Sequence, residues 1–107
     1  ASTKEYLDFV LEQLSELDEV SFRAMMGEYI LYYRGRLFGG IYDDRLLVKP
    51  VPAAVSMLPG AKKQLPYEGA KPMLRVTNDQ IADSKFLAKL LDAMLPELPA
   101  AKPSKKK

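Results

Sequence analysis

Cysteine, histidine and tryptophan are all absent from the 107 residues of this chain. Without cysteine and histidine, the chain can form no disulfide, none of the usual zinc or haem sites, and no Ser–His or Cys–His catalytic relay. Carboxylates, tyrosines, lysines and arginines remain, so acid–base catalysis stays open but loses its most common residue. The composition therefore favours a protein that is not an enzyme and that holds no metal or cofactor.

A long hydrophobic run is also missing, because no segment approaches the roughly 18 apolar residues of a membrane span. The first residues lead into a charged amphipathic pattern and contain no signal-peptide core. We therefore expect a cytoplasmic protein. With 48% hydrophobic residues, the 107-residue chain has enough apolar material for the core of a single domain.

The net charge is only +2, from 16 Lys and Arg against 14 Asp and Glu. Four of the lysines fall within the last six residues, and subtracting them leaves 12 basic against 14 acidic residues. The body of the chain is thus net acidic, which disfavours a basic surface for nucleic acid. We expect residues 1–98 to fold as one domain and residues 99–107 to form a disordered lysine-rich tail.

Apolar residues at helical spacing predict a first helix that begins at Ser2 or Thr3 and fades near Asp18, with Ser2 and Glu5 forming a capping box. Four strands are predicted to follow over 20–26, 29–33, 36–42 and 45–49, and then a short helix over 53–58. An irregular link over 61–72, a strand over 73–76 and a final helix capped near 78–83 complete the chain. The predicted strand turns are Gly27-Glu28, Arg34-Gly35 and Asp43-Asp44.

The order α-β-β-β-β-α-β-α predicts an α+β fold, a two-layer sandwich with helices on one face of a mainly antiparallel sheet. Alternation places Phe22 on one face of the first strand, and Arg23 and Met25 on the other. The second and third strands are apolar on both faces, so the second face needs a cover. We expect a homodimer, across that face or along a sheet edge, or the segment 61–72 to provide it. Gly39-Gly40 indicates a bulge or a close approach of another backbone or helix.

The stretch from 23 to 42 resembles the TfoX N-terminal domain family, which is named after a bacterial competence regulator. The family's R-x-M-F-G-x-Y-G-L-Y pattern is met at Arg23, Met25, Gly27, Tyr29, Leu31 and Tyr32. The sequence departs from the pattern at Met26, where Phe is usual, and at Ile30, where Gly is usual and where the change could alter a binding loop. The resemblance extends to Tyr6-Leu7, Val10-Leu11, Tyr67 and Pro72-Met73, and so covers most of residues 4–95.

The resemblance implies a two-layer α/β domain. In the longer family members it also implies a role, alongside a transcription activator, in switching on genes for DNA uptake. Those members carry a second domain, whereas this sequence continues into a lysine-rich tail, so we expect the regulatory role to carry over only weakly. The function implied here is a non-enzymatic regulatory or adaptor module that works through protein contacts, with a transcription regulator as the candidate partner.

The candidate partner-binding residues surround the first strand turn. Gly27 can supply a positive φ, and Arg23 can offer a bidentate fork to a carboxylate or phosphate. The other interpretation is that Arg23 pairs with Glu28 or Asp44 and only fixes the turn. The complete candidate set is Arg23, Met25, Gly27, Glu28, Tyr29, Tyr32 and Tyr33.

Two alternative functions stay open. Tyrosines interleaved with arginines can stack and neutralise single-stranded nucleic acid, although tyrosine is also ordinary in strands and interfaces. The cations assigned to this alternative are Arg34, Arg36, Lys105, Lys106 and Lys107. The other alternative is a small ligand-binding protein, which requires a concave site.

Overall fold

The computed structural model describes residues 2–66 and 68–99, arranged as α-helices around one sheet. The predicted lysine tail from residue 100 onward and Tyr67 lie outside the described residues, so the domain boundary stays a prediction. The helices are α1 (Lys4–Gln13), α2 (Pro52–Met57), α3 (Asn78–Ala82) and α4 (Ser84–Met94), with a 3₁₀ turn over Leu95–Glu97. The strands are β1 (Val20–Met25), β2 (Glu28–Tyr33), β3 (Arg36–Ile41), β4 (Leu46–Val48), β5 (Lys63–Gln64) and β6 (Met73–Val76).

The six described strands form one antiparallel sheet in the order β1-β2-β3-β4-β6-β5. The predicted α+β class and the four-strand meander are confirmed. Two elements were not predicted from the sequence. β5 lies within the segment 61–72, for which the sequence predicts an irregular link, and α3 precedes α4 with its own capping box of Thr77 and Gln80.

Each hairpin of the meander turns through two residues that both have positive φ. The angles are 52° and 86° at Met26 and Gly27, 52° and 77° at Arg34 and Gly35, and 54° and 56° at Asp43 and Asp44. Such turns match the right-handed twist of the strands that they join. The first turn was predicted one residue too late: β1 ends at Met25, and Glu28 already belongs to β2.

The predicted bulge at the glycine pair is confirmed. The pairing of β2 with β3 shifts register between Leu31 and Tyr32, which leaves Phe38 as the extra residue of β3. A Cβ on Gly39 would collide with the carbonyl oxygen of Leu47 and lie 2.9 Å from the Cα of Val48. Position 39 therefore requires glycine, because the bulged strand approaches the β4 backbone closely.

The buried core joins the central strands to the helices in one cluster. Cross-strand pairing puts Leu31, Gly39, Val48 and Leu74 in one row, and a second row contains Ile41 and Leu46. Every helix contributes to the same cluster, and the helical residues in it are Leu7, Val10, Ala54, Ile81, Leu87, Leu90, Leu91 and Met94. These contacts do not assign each helix to a side of the sheet, so the placement of all helices on one face stays a prediction.

The N-terminal segment departs from the predicted capping box. Thr3 caps α1, since its hydroxyl accepts a hydrogen bond from the backbone N–H of Tyr6 at 3.2 Å. The Ser2 hydroxyl instead donates to Oε1 of Glu28 at 2.6 Å, 26 residues away in sequence. The prediction of a box between Ser2 and Glu5 is therefore wrong, because a tertiary acceptor takes the place of the local one.

Candidate interaction surface

Strand β1 is an edge of the sheet that residues 2–66 and 68–99 form, and within those residues it pairs with β2 alone. Five of its six residues are exposed, whereas all three residues of β4, at the centre of the sheet, are buried. An edge strand presents backbone N–H and C=O groups, at every second residue, that no strand of its own sheet pairs with. Such an edge can add a strand from another chain.

Large hydrophobic side chains are concentrated at this edge. Phe22, Met25 and Met26 are 47%, 42% and 96% exposed, and they lie within five consecutive residues. We call these three residues the β1 patch. Phe22 and Met25 point to opposite faces of β1, and Met26 occupies the turn, so the patch wraps around the edge of the sheet. Clustered exposed apolar side chains of this kind mark interaction sites more often than isolated ones do.

One ring contact and three hydrogen bonds hold the β1 patch in place. The Phe22 ring lies edge-on to the Tyr29 ring, with centroids 5.9 Å apart and planes inclined by 78°. At the turn, Oε1 of Glu28 accepts hydrogen bonds from the Ser2 hydroxyl and from the backbone N–H of Asp43 at 3.2 Å. The backbone N–H of Ser2 donates to the Gly27 carbonyl at 2.9 Å. Glu28 thus ties the β1–β2 turn to both the N-terminus and the β3–β4 turn.

The predicted pairing of Arg23 with Glu28 or Asp44 is wrong. Glu28 is occupied as described above, and Oδ1 of Asp44 accepts from the backbone N–H of Thr3 at 2.7 Å. Arg23 lies opposite Ile30 and forms no ion pair with any residue in the ranges 2–66 and 68–99. It is an exposed cation beside the β1 patch.

The three candidate tyrosines do not share a surface. Tyr29 lies opposite the buried Ile41 and packs against the core, whereas Tyr32 lies opposite Leu37 on the other face. Tyr33 is 2% exposed and belongs to the core, so this candidate partner-binding residue is not available to a partner. Its hydroxyl donates to Oδ1 of Asp92 at 2.6 Å. This hydrogen bond, together with burial, raises the pKa of the Tyr33 phenol above its ordinary value.

Two of the residues assigned to the nucleic-acid alternative, Arg34 and Arg36, lie near the end of α4, and both make contacts within the fold. Nη1 of Arg36 donates to the carbonyl oxygens of Leu95 and Leu98, at 3.0 and 3.4 Å, and so holds the end of α4 against the sheet. The Arg34 guanidinium lies 5.6 Å from the centre of the Tyr33 ring and 3.9 Å from Glu19. The remaining three cations, Lys105, Lys106 and Lys107, lie outside the described residues.

Phe22 and Met26 are not among the candidate residues that the sequence predicts. Alternation placed Phe22 on one face of the first strand, with no exposure predicted for it, and Met26 was included in that strand. The order of elements contained a usable signal, because the first strand of a meander often lies at the edge of its sheet. The Met-Gly sequence before a charged residue was a second signal, since two-residue hairpin turns favour glycine.

Other kinds of site find no support in the part of the chain that the structure describes. No group of three or more acidic side chains there is arranged to hold a metal ion. Asp43 and Asp44 instead form the turn for which they were predicted. No helix of residues 2–66 and 68–99 has the length and apolar character needed to cross a membrane.

Comparisons with known proteins agree with the resemblance seen in the sequence. A family model described as the TfoX N-terminal domain matches residues 12–96, which include the whole sheet and the β1 patch. An uncharacterized 12.7 kDa protein in the trpE 5′ region of Spirochaeta aurantia is 33% identical over 107 residues. The alignment spans 100% of this chain and 92% of that protein. The similarity therefore extends well beyond the motif around the first hairpin.

Proposed function

The chain belongs to the TfoX N-terminal domain family, and we propose that it is a non-enzymatic adaptor that binds another protein through the β1 patch. One observation carries the proposal: an unpaired sheet edge coincides with the cluster formed by Phe22, Met25 and Met26. Edges of this kind are usually protected by charge, by proline or by a covering segment. β1 has one charged residue, Arg23, and no proline.

The mode of binding that fits this edge is the addition of a strand. An extended segment of the partner pairs with the backbone of β1, and its alternate side chains pack against Phe22 on one face and Met25 on the other. Backbone pairing supplies affinity that does not depend on sequence, and the apolar contacts select the partner. Methionine suits this role because its flexible thioether adapts to different surfaces.

The turn supports binding by fixing the end of the edge before the partner arrives. The Glu28 hydrogen bonds join the turn to two other segments, so Met26 is presented from a restrained backbone. Restraint in the free protein lowers the conformational entropy that binding must remove. Glu28 is thus a positioning residue for the β1 patch.

The nature of the partner is proposed from the resemblance and from charge. Arg23 beside the β1 patch favours a segment that carries an acidic residue next to apolar ones. By analogy with the longer members of the family, we propose a transcription regulator in the cytoplasm, and regulation of competence or transcription as the process served.

The test is capture of cytoplasmic proteins by the full chain and by two matched double variants. Phe22→Ser with Met26→Ser removes two side chains of the β1 patch. Val55→Ser with Leu65→Ser removes the other two large exposed hydrophobic side chains among the described residues, at 52% and 55% exposure. We expect the first variant to lose about tenfold or more of a specific protein, and the control to retain it. Thermal unfolding of each variant checks that the fold is intact.

Four outcomes would overturn the proposal. The captured protein could be retained by the β1 variant, or lost equally in both variants. The captured material could be nucleic acid that is released by moderate salt or by deletion of residues 100–107, which would favour the nucleic-acid alternative. Sedimentation could also show a homodimer that only the β1 variant dissociates, so that the edge serves a second copy of this chain.

A further inference from the structure

The face of the sheet opposite the core carries a groove that shares one residue, Met25, with the β1 patch. Its volume is about 570 Å³, which lies within the range of sites that bind small molecules. We call it the rear groove and define its apolar lining by Met25, Ile30, Leu37, Tyr42 and Met73.

Register explains why these side chains share a face. Ile30 lies opposite Gly40, and Gly40 lies opposite Leu47, in a row that alternates with the core row through Leu31 and Val48. A Cβ on Gly40 would lie 2.6 Å from a Tyr42 ring carbon. Glycine at position 40 therefore lets the Tyr42 ring lie close against the sheet and leaves a depression beside it.

The walls of the rear groove are built from segments that contain proline. Pro66, Ala70, Lys71 and Pro72 come from the link between β5 and β6, and Pro50 and Pro99 come from two further segments. Proline fixes φ near −65°, so these walls have little backbone freedom to lose when a ligand binds. The link had been predicted as one way to cover this face, and the structure places it along the groove without filling it.

The charged side chains at the rear groove include more cations than anions. Among the described residues, three that are charged line it, namely Lys49, Lys71 and Glu97. Oε1 of Glu97 accepts a hydrogen bond from the backbone N–H of Ala53 at 2.7 Å, so this carboxylate already caps α2. Neither Lys49 nor Lys71 forms an ion pair with a residue of the described ranges. The groove thus combines an apolar floor with two cations that have no such partner.

We infer that the rear groove binds an elongated apolar molecule with one anionic end, of the class of a medium-chain carboxylate. The hydrocarbon part packs against Ile30, Leu37 and Met73, and the carboxylate lies between the ammonium groups of Lys49 and Lys71. A neutral apolar molecule would leave both ammonium groups without a counter-charge, and a cation would be repelled by them. The complementarity therefore selects an anionic ligand.

The test uses octanoate as the probe, below its micelle-forming concentration, and follows binding through backbone amide NMR shifts of the full chain. Octanol, with the same chain length and no charge, is the matched ligand control. We expect saturable shifts at the residues of the rear groove and affinity for octanoate about tenfold higher than for octanol.

Two double variants distinguish binding in the rear groove from a general attraction of the anion to positive charge on the protein. Lys49→Gln with Lys71→Gln is expected to lower octanoate affinity about tenfold, and Lys62→Gln with Lys63→Gln, which removes the same charge outside the groove, should leave it unchanged. Equal binding of octanol, equal loss in both variants, or the absence of saturable shifts would overturn the inference. Shifts at the groove that appear with rising protein concentration alone would assign it to a second copy of this chain. None of these results depends on protein capture at the β1 patch, so the two proposals fail independently.

Discussion

Strands β1 and β4 belong to the same sheet but differ in burial and in the number of strands beside them. β4 has three residues, all buried, and lies between β3 and β6, whereas β1 has six residues and only Val20 is partly buried. The length of a strand therefore does not indicate its share of the stability. Stability comes from contact with the helices and with two neighbouring strands, and β1 has one neighbour.

The comparison also separates two phenylalanines with the same sequence propensity. Phe38, at the bulge of β3, is 0% exposed and belongs to the core, and Phe22 in β1 is 47% exposed. The core phenylalanine stabilises the fold, and the edge phenylalanine remains available to another molecule. This contrast can be tested directly.

The largest expected effect is that of truncating Phe38. We expect Phe38→Ala to lower the free energy of unfolding by about 3–5 kcal/mol, because it removes a fully buried ring and leaves a cavity. Phe22→Ala is the matched control and should cost about 1 kcal/mol or less, since nearly half of that ring is already in water. Urea unfolding measures both values. Equal losses in the two variants would show that the edge and the centre contribute alike.

An intermediate loss of stability is expected from removing the hydrogen bond between β2 and α4. Tyr33→Phe removes the hydroxyl that donates to Asp92 at 2.6 Å, and we expect a loss of about 1 kcal/mol. The control is Tyr32→Phe on the neighbouring position, where the hydroxyl has no hydrogen bond to a described residue, and no measurable change is expected. If both variants were as stable as the parent chain, the Tyr33–Asp92 hydrogen bond would not contribute to the stability of the core.

The sequence was sufficient to predict the elements whose causes are local. Alternation and turn residues predicted the meander, and glycine next to glycine predicted the bulge, whose extra residue is Phe38. The capping of α1 was predicted only in part, because the choice between Thr3 and Ser2 depends on Glu28, which is distant in sequence. β5 could not be predicted, since two residues of a lysine-rich link become a strand only by pairing with β6.

The candidate site was harder to predict because exposure depends on the order of strands. Tyr33 and Phe22 both fit an exposed aromatic position in a strand, yet one is buried by α4 and the other lies at the edge. The rear groove was not predicted as a site, because its floor alternates with the core row and its walls come from segments far apart in sequence. Tertiary placement, and not residue type, decides these cases.

The smallest expected effect concerns the buried Tyr33. We expect it to make the free energy of unfolding depend on pH in the alkaline range. The pKa of Tyr33 is raised in the folded protein by its hydrogen bond to Asp92 and by burial, so the folded state favours the protonated phenol. The stabilisation is fully present below the unfolded-state pKa of about 10 and is lost as the pH rises through the folded-state value. Urea unfolding of the parent chain should thus show a steeper decline in stability above about pH 10 than Tyr33→Phe does.

Tyr6 provides a second test of this prediction. Burial raises the pKa of Tyr6 in the same direction, and its hydroxyl donates to Oδ1 of Asn78 at 2.7 Å. Tyr6→Phe should therefore flatten the alkaline decline as well, and the double variant should flatten it further. Parallel profiles for the parent chain and the Tyr33 variant would contradict the proposed cause, because the hydrogen bond would then favour neither protonation state of the phenol.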